Sequence, residues 1–451
     1  MISRRRARVG TRRCVAVGAV ALSLWAVTAA IAQDVSPPIA VAARVAEDGE
    51  AARLTFDLSG PVKAVAHVMV DPARVVVDLG EVNFQLDPSA GRAAEKRDGI
   101  IKAFRFGLFG AGKSRVVIDL GRPACVAGVE AKPIVKGSAA SRLTIELRRC
   151  EPNVFAAAAR QAVAGAGGAA SAPAQVDADA EGASGPPVIV LDPGHGGVDG
   201  GAYGLGGAVE KAIVYDYALE LKRRLEAMNR FKVVLTRNGD EFVSLDDRVR
   251  IAREANASLF VSIHADALTE GAADVSGATV YTCSDRASDA EAERIAEREN
   301  SADKAAGADH KASAAAAGVA DILFDLKRRE TRTYAHIFSR GVVEQLQGAT
   351  RLNHNPQRSA GFVVLKAPDF PSVLVELGYL SNPQDVRALT SLEWRVKTAA
   401  AMAAAIEGFF APSRNPGEAA AKLAAPLAVS AADAAPGKAE GAKAQAEARA
   451  P

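Results

Sequence analysis

The chain has 451 residues, with 55 Lys and Arg against 53 Asp and Glu and apolar residues at 49%. A formal charge of +2 and aromatics at only 5% exclude a general nucleic-acid binder, which would carry a concentrated basic face interleaved with aromatic rings. The length allows two or three domains with buried cores.

Residues 1–32 read as an export signal. The basic "MISRRRARVGTRR" precedes an apolar run that ends in Ala30-Ile31-Ala32, a small-x-small cleavage pattern before Gln33. The run is near the lower limit for a membrane span, so no stable span is expected after cleavage. The mature chain is then expected in the periplasm. "TRRCVAVG" loosely resembles a twin-arginine signal but fits poorly after the arginine pair, which leaves Sec and Tat export both open. Export permits disulfides, and Cys125 and Cys150 flank strand-like runs. Their spacing alone does not say whether they pair. Cys283 reads as inert packing.

Residues 38–150 read as an all-β domain of sandwich type. "ARLTFDLSG", "ARVVVDLGEVNF", "SRVVIDLGRPA" and "SRLTIELRRC" are short β-branched or alternating runs divided by Gly, Pro and charged turns. "RVVVDLG" at Arg74 and "RVVIDLG" at Arg115 are nearly one heptapeptide, which predicts an internal repeat of the kind two facing sheets would show. Residues 151–186 turn to Ala, Gly, Ser and Pro and read as a disordered linker, and 412–451 read as a disordered Ala-rich tail.

Between these tracts, residues 187–411 alternate strand and helix. Strands are predicted at Val188–Asp192, Phe231–Thr236, Leu259–Ile263, Ala278–Thr282, Phe362–Leu365 and Ser372–Leu377, with helices between them. That order predicts an α/β domain, a mostly parallel twisted sheet covered by helices. In such sheets ligands gather beyond the carboxyl ends of the strands. His195 follows the first strand in "VIVLDPGHGG", His264 ends the apolar run "LFVSIH", and Glu376 ends "PSVLVE". Glu210 opens the helix after His195, where a carboxylate also suits the helix dipole. Two His and one Glu with an open fourth position is a catalytic zinc arrangement, so Zn²⁺ on His195, Glu210 and His264 is expected. A further carboxylate is needed to move the proton from water to a leaving amine, and Glu376 is the candidate. His67, His310, His336 and His354 lack glycine framing or strand-end placement and read as core or surface residues.

Residues 284–331 interrupt the α/β pattern. "ASDAEAERIAEREN" begins with Ser288 and then Glu291, a capping-box pattern that predicts a short acidic helix. Its Glu291, Glu293, Glu297 and Glu299 are either a solvated face paired with neighbouring arginines or a source of one carboxylate for the open metal position.

"VIVLDPGHGGVDGGA", "VEK", "LFVSIHADA" and "PSVLVELGYLSNPQD", in that order, closely resemble the zinc-dependent N-acetylmuramoyl-L-alanine amidases of bacterial cell walls. The resemblance implies zinc on His195, Glu210 and His264, and a catalytic Glu376. It implies hydrolysis of the amide between N-acetylmuramic acid and the L-alanine of the peptidoglycan stem peptide. It further implies an inhibitory helix in the insert, displaced by an activator protein at the division site. "SLDDRVRIAREANA" also looks like the family, with Arg248 and Asn256 read as structural. The β domain resembles the AMIN targeting module, whose implied role is binding peptidoglycan or locating the enzyme at the division site. The ligand chemistry alone would also suit another zinc peptidase or deacetylase of the wall, and a wall-binding scaffold with a relic site is the non-catalytic alternative.

Overall fold

Alternation of apolar and polar residues builds the first domain. The computed structural model describes residues 37–91, 99–110, 112–135, 138, 140–165, 185–268, 275–308 and 321–411. The expected export signal, the expected tail, His310 and residues 166–184 of the expected linker lie outside these. Among the described residues no helix is long and apolar enough to cross a membrane.

Strands β1 (Ile39–Glu47), β2 (Ala51–Leu58), β3 (Ala64–Val70), β4 (Ala73–Gly80), β5 (Asn83–Phe84), β6 (Ile101–Gly110), β7 (Lys113–Leu120), β8 (Ala124–Pro133) and β9 (Ser141–Arg149) form two sheets. Their orders are β5-β1-β2-β9-β8 and β3-β4-β7-β6. Leu54, Phe56, Val75, Val77, Val116, Ile118 and Ile145 fill the core between them. The near-identical heptapeptides do not mark two facing sheets. They are β4 and β7, antiparallel neighbours in one sheet with Val76 opposite Val117. Cys125 and Cys150 are disulfide-bonded, with Cα atoms 5.8 Å apart. The linker also starts later than expected. Helix α1 (Pro152–Gly165) follows β9 directly, because Phe155 and Ala159, four apart, bury one stripe on the β domain.

In the second domain a six-stranded sheet runs β11 (Lys232–Leu235), β10 (Val188–Pro193), β12 (Leu259–His264), β15 (Ser372–Glu376), β13 (Ala278–Cys283) and β14 (Leu352–Ala360). All neighbours are parallel except β13 with β15. Successive residues face opposite layers, as the pleat requires. Ile189, Leu191, Val261 and Val375 pack under α2 (Glu210–Ala227), α6 (Asp321–Gln347) and α8 (Leu392–Phe409). Val190, Phe260 and Leu374 pack on the other side with α3 (Leu245–Glu254) and α4 (Ala290–Glu299). Two short helices, α5 (Ala302–Ala305) and α7 (Pro383–Leu389), complete the set.

Phe362–Leu365 is not a strand. It is a 3₁₀ turn over Val363–Leu365 whose Phe362 plugs the second core. The sixth strand is the polar β14, tolerated because it is an edge. The insert is also shorter at its far end, since α6 is already helical from Asp321. The cap of α4 is Asp289, one residue beyond Ser288. Its side chain accepts from the Ala292 amide, while the Ser288 hydroxyl donates to it.

Candidate metal centre

The strand order sets the site. β10, β12 and β15 are parallel neighbours, so their carboxyl ends share one rim. His264 and Glu376, the last residues of β12 and β15, lie directly opposite each other in register. His195 sits just past β10 with φ at +58°, a left-handed backbone that costs a side-chain-bearing residue energy and needs outside support. Two buried arginines supply it. Arg248 donates to the carbonyls of Pro193 and His195 at 3.0 and 2.9 Å, and Arg237 to those of Pro193 and Gly194 at 3.0 and 3.2 Å. Arg248 is in turn paired with Asp192 at 2.7 Å, which also accepts from Thr236 and Ser262. The structural reading of Arg248 thus gains a task, holding the histidine loop. Asn256, just past α3, adopts φ +52°.

The glycines around His195 make room. A Cβ on Gly201 would lie 2.6 Å from both the His195 ring and Glu210 Oε2. Glu210, the first residue of α2, accepts from the amides of Ala202 and Ala265 at 2.8 and 2.9 Å. Its Oε1 lies 3.2 Å from His195 Nε2 and 3.1 Å from His264 Nδ1.

A fourth donor comes from the insert. Glu299, the last residue of α4, places Oε2 3.3 Å from His195 Nε2 and 3.1 Å from His264 Nδ1. Ligand atoms of His195, Glu210, His264 and Glu299 all lie within 4.8 Å of one another, and all four residues are buried. Of the four glutamates expected to compete for this place, Glu299 takes it. Glu291 instead pairs with Arg358 at 3.1 Å. The preceding Arg298 is bonded to Asp266 and to the Ala267 carbonyl.

The electrostatics call for a cation. Burial alone would push both imidazoles down. Carboxylates outweigh it: Glu210, Asp199 and Glu299 hold His195 well above 6.5, and Glu299 with Glu210 brings His264 to about 10. Burial likewise works to raise the two carboxyls, yet the histidines keep Glu210 well below 4.5 and Glu299 at about 2. The carboxylates thus favour positive charge at this centre, which a dication would supply. His195 Nε2 is buried without a hydrogen-bond partner, as a metal-directed atom would be. Two imidazoles and two carboxylates also suit a Zn²⁺-type ion. The residues therefore fit the expected metal.

Glu376 is fully buried beside this group. Its Oε2 accepts from the Asp266 amide at 3.0 Å, while Oε1 has no partner. Burial first, then the nearby Asp266, Glu210 and Glu299, holds its carboxyl well above the ordinary range despite His264. Asp199 was not anticipated. Its Oδ2 lies 2.8 Å from His195 Nδ1, which turns the other ring nitrogen toward the centre. The four-residue step in "HGGVD" was the available signal. His67, His336 and His354 do not join the cluster.

Residues 189–408 match the family model described as N-acetylmuramoyl-L-alanine amidase, and residues 42–138 match that of the AMIN domain. The N-acetylmuramoyl-L-alanine amidase AmiA of Escherichia coli K12 is 40% identical over 49% of this chain and 76% of its own length. The amidase AmiC of Escherichia coli O6:H1 is 32% identical over 89% of this chain and 96% of its own. A solved structure, the amidase AmiC2 of Nostoc punctiforme, is 30% identical over 50% of this chain and 98% of that one, with a TM-score of 0.35.

Proposed function

This chain belongs to the N-acetylmuramoyl-L-alanine amidase family, and from that premise we propose how its residues work. The enzyme is a peptidoglycan amidase, cutting between the lactyl group of N-acetylmuramic acid and the L-alanine of the stem peptide. His195, Glu210 and His264 hold a Zn²⁺ ion. When bound, the ion supplies Lewis acidity, polarising the scissile carbonyl and lowering the pKa of its water to about 7. Asp199 fixes the His195 ring, and Arg248 and Arg237 fix its backbone. Glu376 takes the proton of the attacking water at Oε1, the oxygen not committed to the Asp266 amide, and delivers it to the nitrogen of the departing L-alanine as the amide C–N bond breaks. Burial and the nearby Asp266, Glu210 and Glu299 hold its carboxyl well above the ordinary range, which favours the delivering step.

The observation that carries this reading is the convergence of His195, Glu210, His264 and Glu376 at one strand-end rim. The same geometry supports autoinhibition. With Glu299 seated, a protein carboxylate takes the place substrate and water need, so α4 must leave before turnover. An activator protein at the division site would displace it. The chain acts in the periplasm, exported through residues 1–32, with the AMIN domain binding the wall.

The test is mass spectrometry of purified sacculi digested by the zinc-loaded full chain and by Glu299→Gln. Free stem peptides beginning with L-alanine are expected, released at least tenfold faster by the variant, as loss of one charge-assisted contact would allow. Products that keep the lactyl–alanine bond would overturn the amidase reading in favour of a peptidase or deacetylase.

A further inference from the structure

The repeated heptapeptides have a feature that a sandwich alone does not explain. A strand with one face in the core should alternate apolar and polar residues, and a continuous apolar run means that both faces are covered. In β4, Val75 and Val77 enter the sandwich core, yet Val76 between them is also fully buried. In β7, Val116 and Ile118 point inward and Val117 is likewise fully buried. What covers the outer face is the segment directly after Glu299. Val76 and Val117 form one apolar cluster with Ala306 of the insert and with Val198 and Phe242 of the amidase domain.

Polar contacts frame that cluster on both sides. Across the β4–β7 pair, Arg74 bonds Asp119, and Arg115 bonds Asp78 at 2.6 Å. Each arginine has N–H groups left over, and each spends one on the insert. Arg74 donates to the Lys304 carbonyl, and Arg115 to the carbonyls of Ala306 and Gly307 at 3.3 and 2.6 Å. Lys304 lies in the last turn of α5, and Ala306 and Gly307 follow directly after it. Gly307 lies so close that a Cβ on it would meet Val76 at 2.7 Å.

The same β domain touches the metal rim itself. β6 pairs with its flanking loops: the Val198 amide donates to the Leu108 carbonyl at 3.2 Å, Leu108 bridges to Glu241, and Phe109 stacks on Phe242 at 5.5 Å. Gly197, two residues after His195, would place a Cβ 1.9 Å from the Leu108 carbonyl. Part of the glycine content beside the histidine therefore serves this approach rather than the metal.

We propose that the outer face of the four-stranded AMIN sheet is a docking surface for the insert of the same chain, and that this contact holds Glu299 in the metal site. The partner is the segment Ser301–Ala308, gripped by Arg74, Arg115, Val76 and Val117. The AMIN domain is then a second hand on the lock, and α4 leaves only when α5 is released from the β sheet. This rests on the autoinhibition reading above.

The test uses the zinc-loaded full chain in three variants. Glu299→Gln removes the plug. Arg115→Gln removes the grip from the β side. Ala306→Asp places a charge in the apolar cluster from the insert side, without altering the AMIN fold. The readouts are basal release of stem peptides from sacculi and hydrogen–deuterium exchange over 290–307. Arg115→Gln should raise basal release about tenfold, the effect of losing charge-assisted bonds to two carbonyls. Ala306→Asp should raise it at least as much. Both should speed exchange over 290–307 while exchange in the core strands of the β domain stays unchanged. If Glu299→Gln activates and neither interface variant does, the docking proposal fails and the lock stands. If Glu299→Gln does not activate, the lock reading fails, and exchange still decides the contact: unchanged protection of 290–307 in both interface variants overturns it.

Discussion

Two carboxylates face the same pair of histidines, one from the sheet rim and one from the insert, and they are held very differently. Glu210 receives two backbone N–H groups and sits where the chain turns into α2. Glu299 receives none: its Oε2 lies against the histidines and its Oε1 is bare. The rim residue is fixed by the fold whatever occupies the centre. The insert residue is fixed by the centre and by whatever holds α4 and α5 in place. The difference in support is thus written into backbone hydrogen bonding, since the two side chains are chemically the same.

The sharpest way to break this comparison is at Glu376, which the rim also carries. In a Glu299→Gln background, Glu376→Gln should lower turnover about 10³-fold, within the range for losing a positioned acid–base group. Metal content by mass spectrometry should stay at the parent level. Turnover near that of the parent would move the proton transfer elsewhere.

The next effect is on stability. Asp192→Asn strands the buried Arg248 without its counter-charge and should cost about 3 kcal/mol in urea unfolding. Asp285→Asn, which breaks the insert's exposed pairs with Arg328 and Arg332, should cost about 1 kcal/mol or less. Equal losses would erase the distinction between rigid rim and removable insert. The Asp192 term also has a pH window. Burial raises its carboxyl, but Arg248, Thr236 and Ser262 outweigh that and hold it below 3.8. Its stabilisation is therefore complete above the unfolded value and is lost as pH falls through the lower folded one.

The smallest effect concerns Asp199. Asp199→Asn leaves every ligand in place but loosens the His195 ring, and should weaken metal affinity about tenfold in a chelator competition. No change would mean that the backbone arginines alone orient the ring.

The rim was legible in the sequence because each of its histidines and Glu376 ends a β-branched run, and because parallel strands bring such ends together. Other parts were hidden for physical reasons. Helix α1 is Ala-rich and shares its composition with a linker; only the Phe155–Ala159 stripe distinguishes it, and that stripe needs the β domain to bury it. Phe362–Leu365 is apolar enough for a strand, but short apolar runs do not separate strand from buried turn. Which of the four glutamates reaches the histidines depended on where α4 ends, which no helical periodicity fixes. The paired repeats were visible as a repeat, while the reason for three consecutive valines in the first lay in a segment more than two hundred positions away.

The adjacent Arg298 and Glu299 have a consequence for how the lock responds to its surroundings. One carries a positive charge and the other a negative one, and they engage Asp266 and the histidines side by side. Were α4 to lift away as proposed, these two residues would leave as a dipole and between them would not change the net charge of the rim. Mobile ions of the medium act mainly on net charge at distances beyond about 8–10 Å, so they have little to grip. Breaking this pair of contacts should therefore add little to any salt dependence of opening, which is left to the other charges of α4.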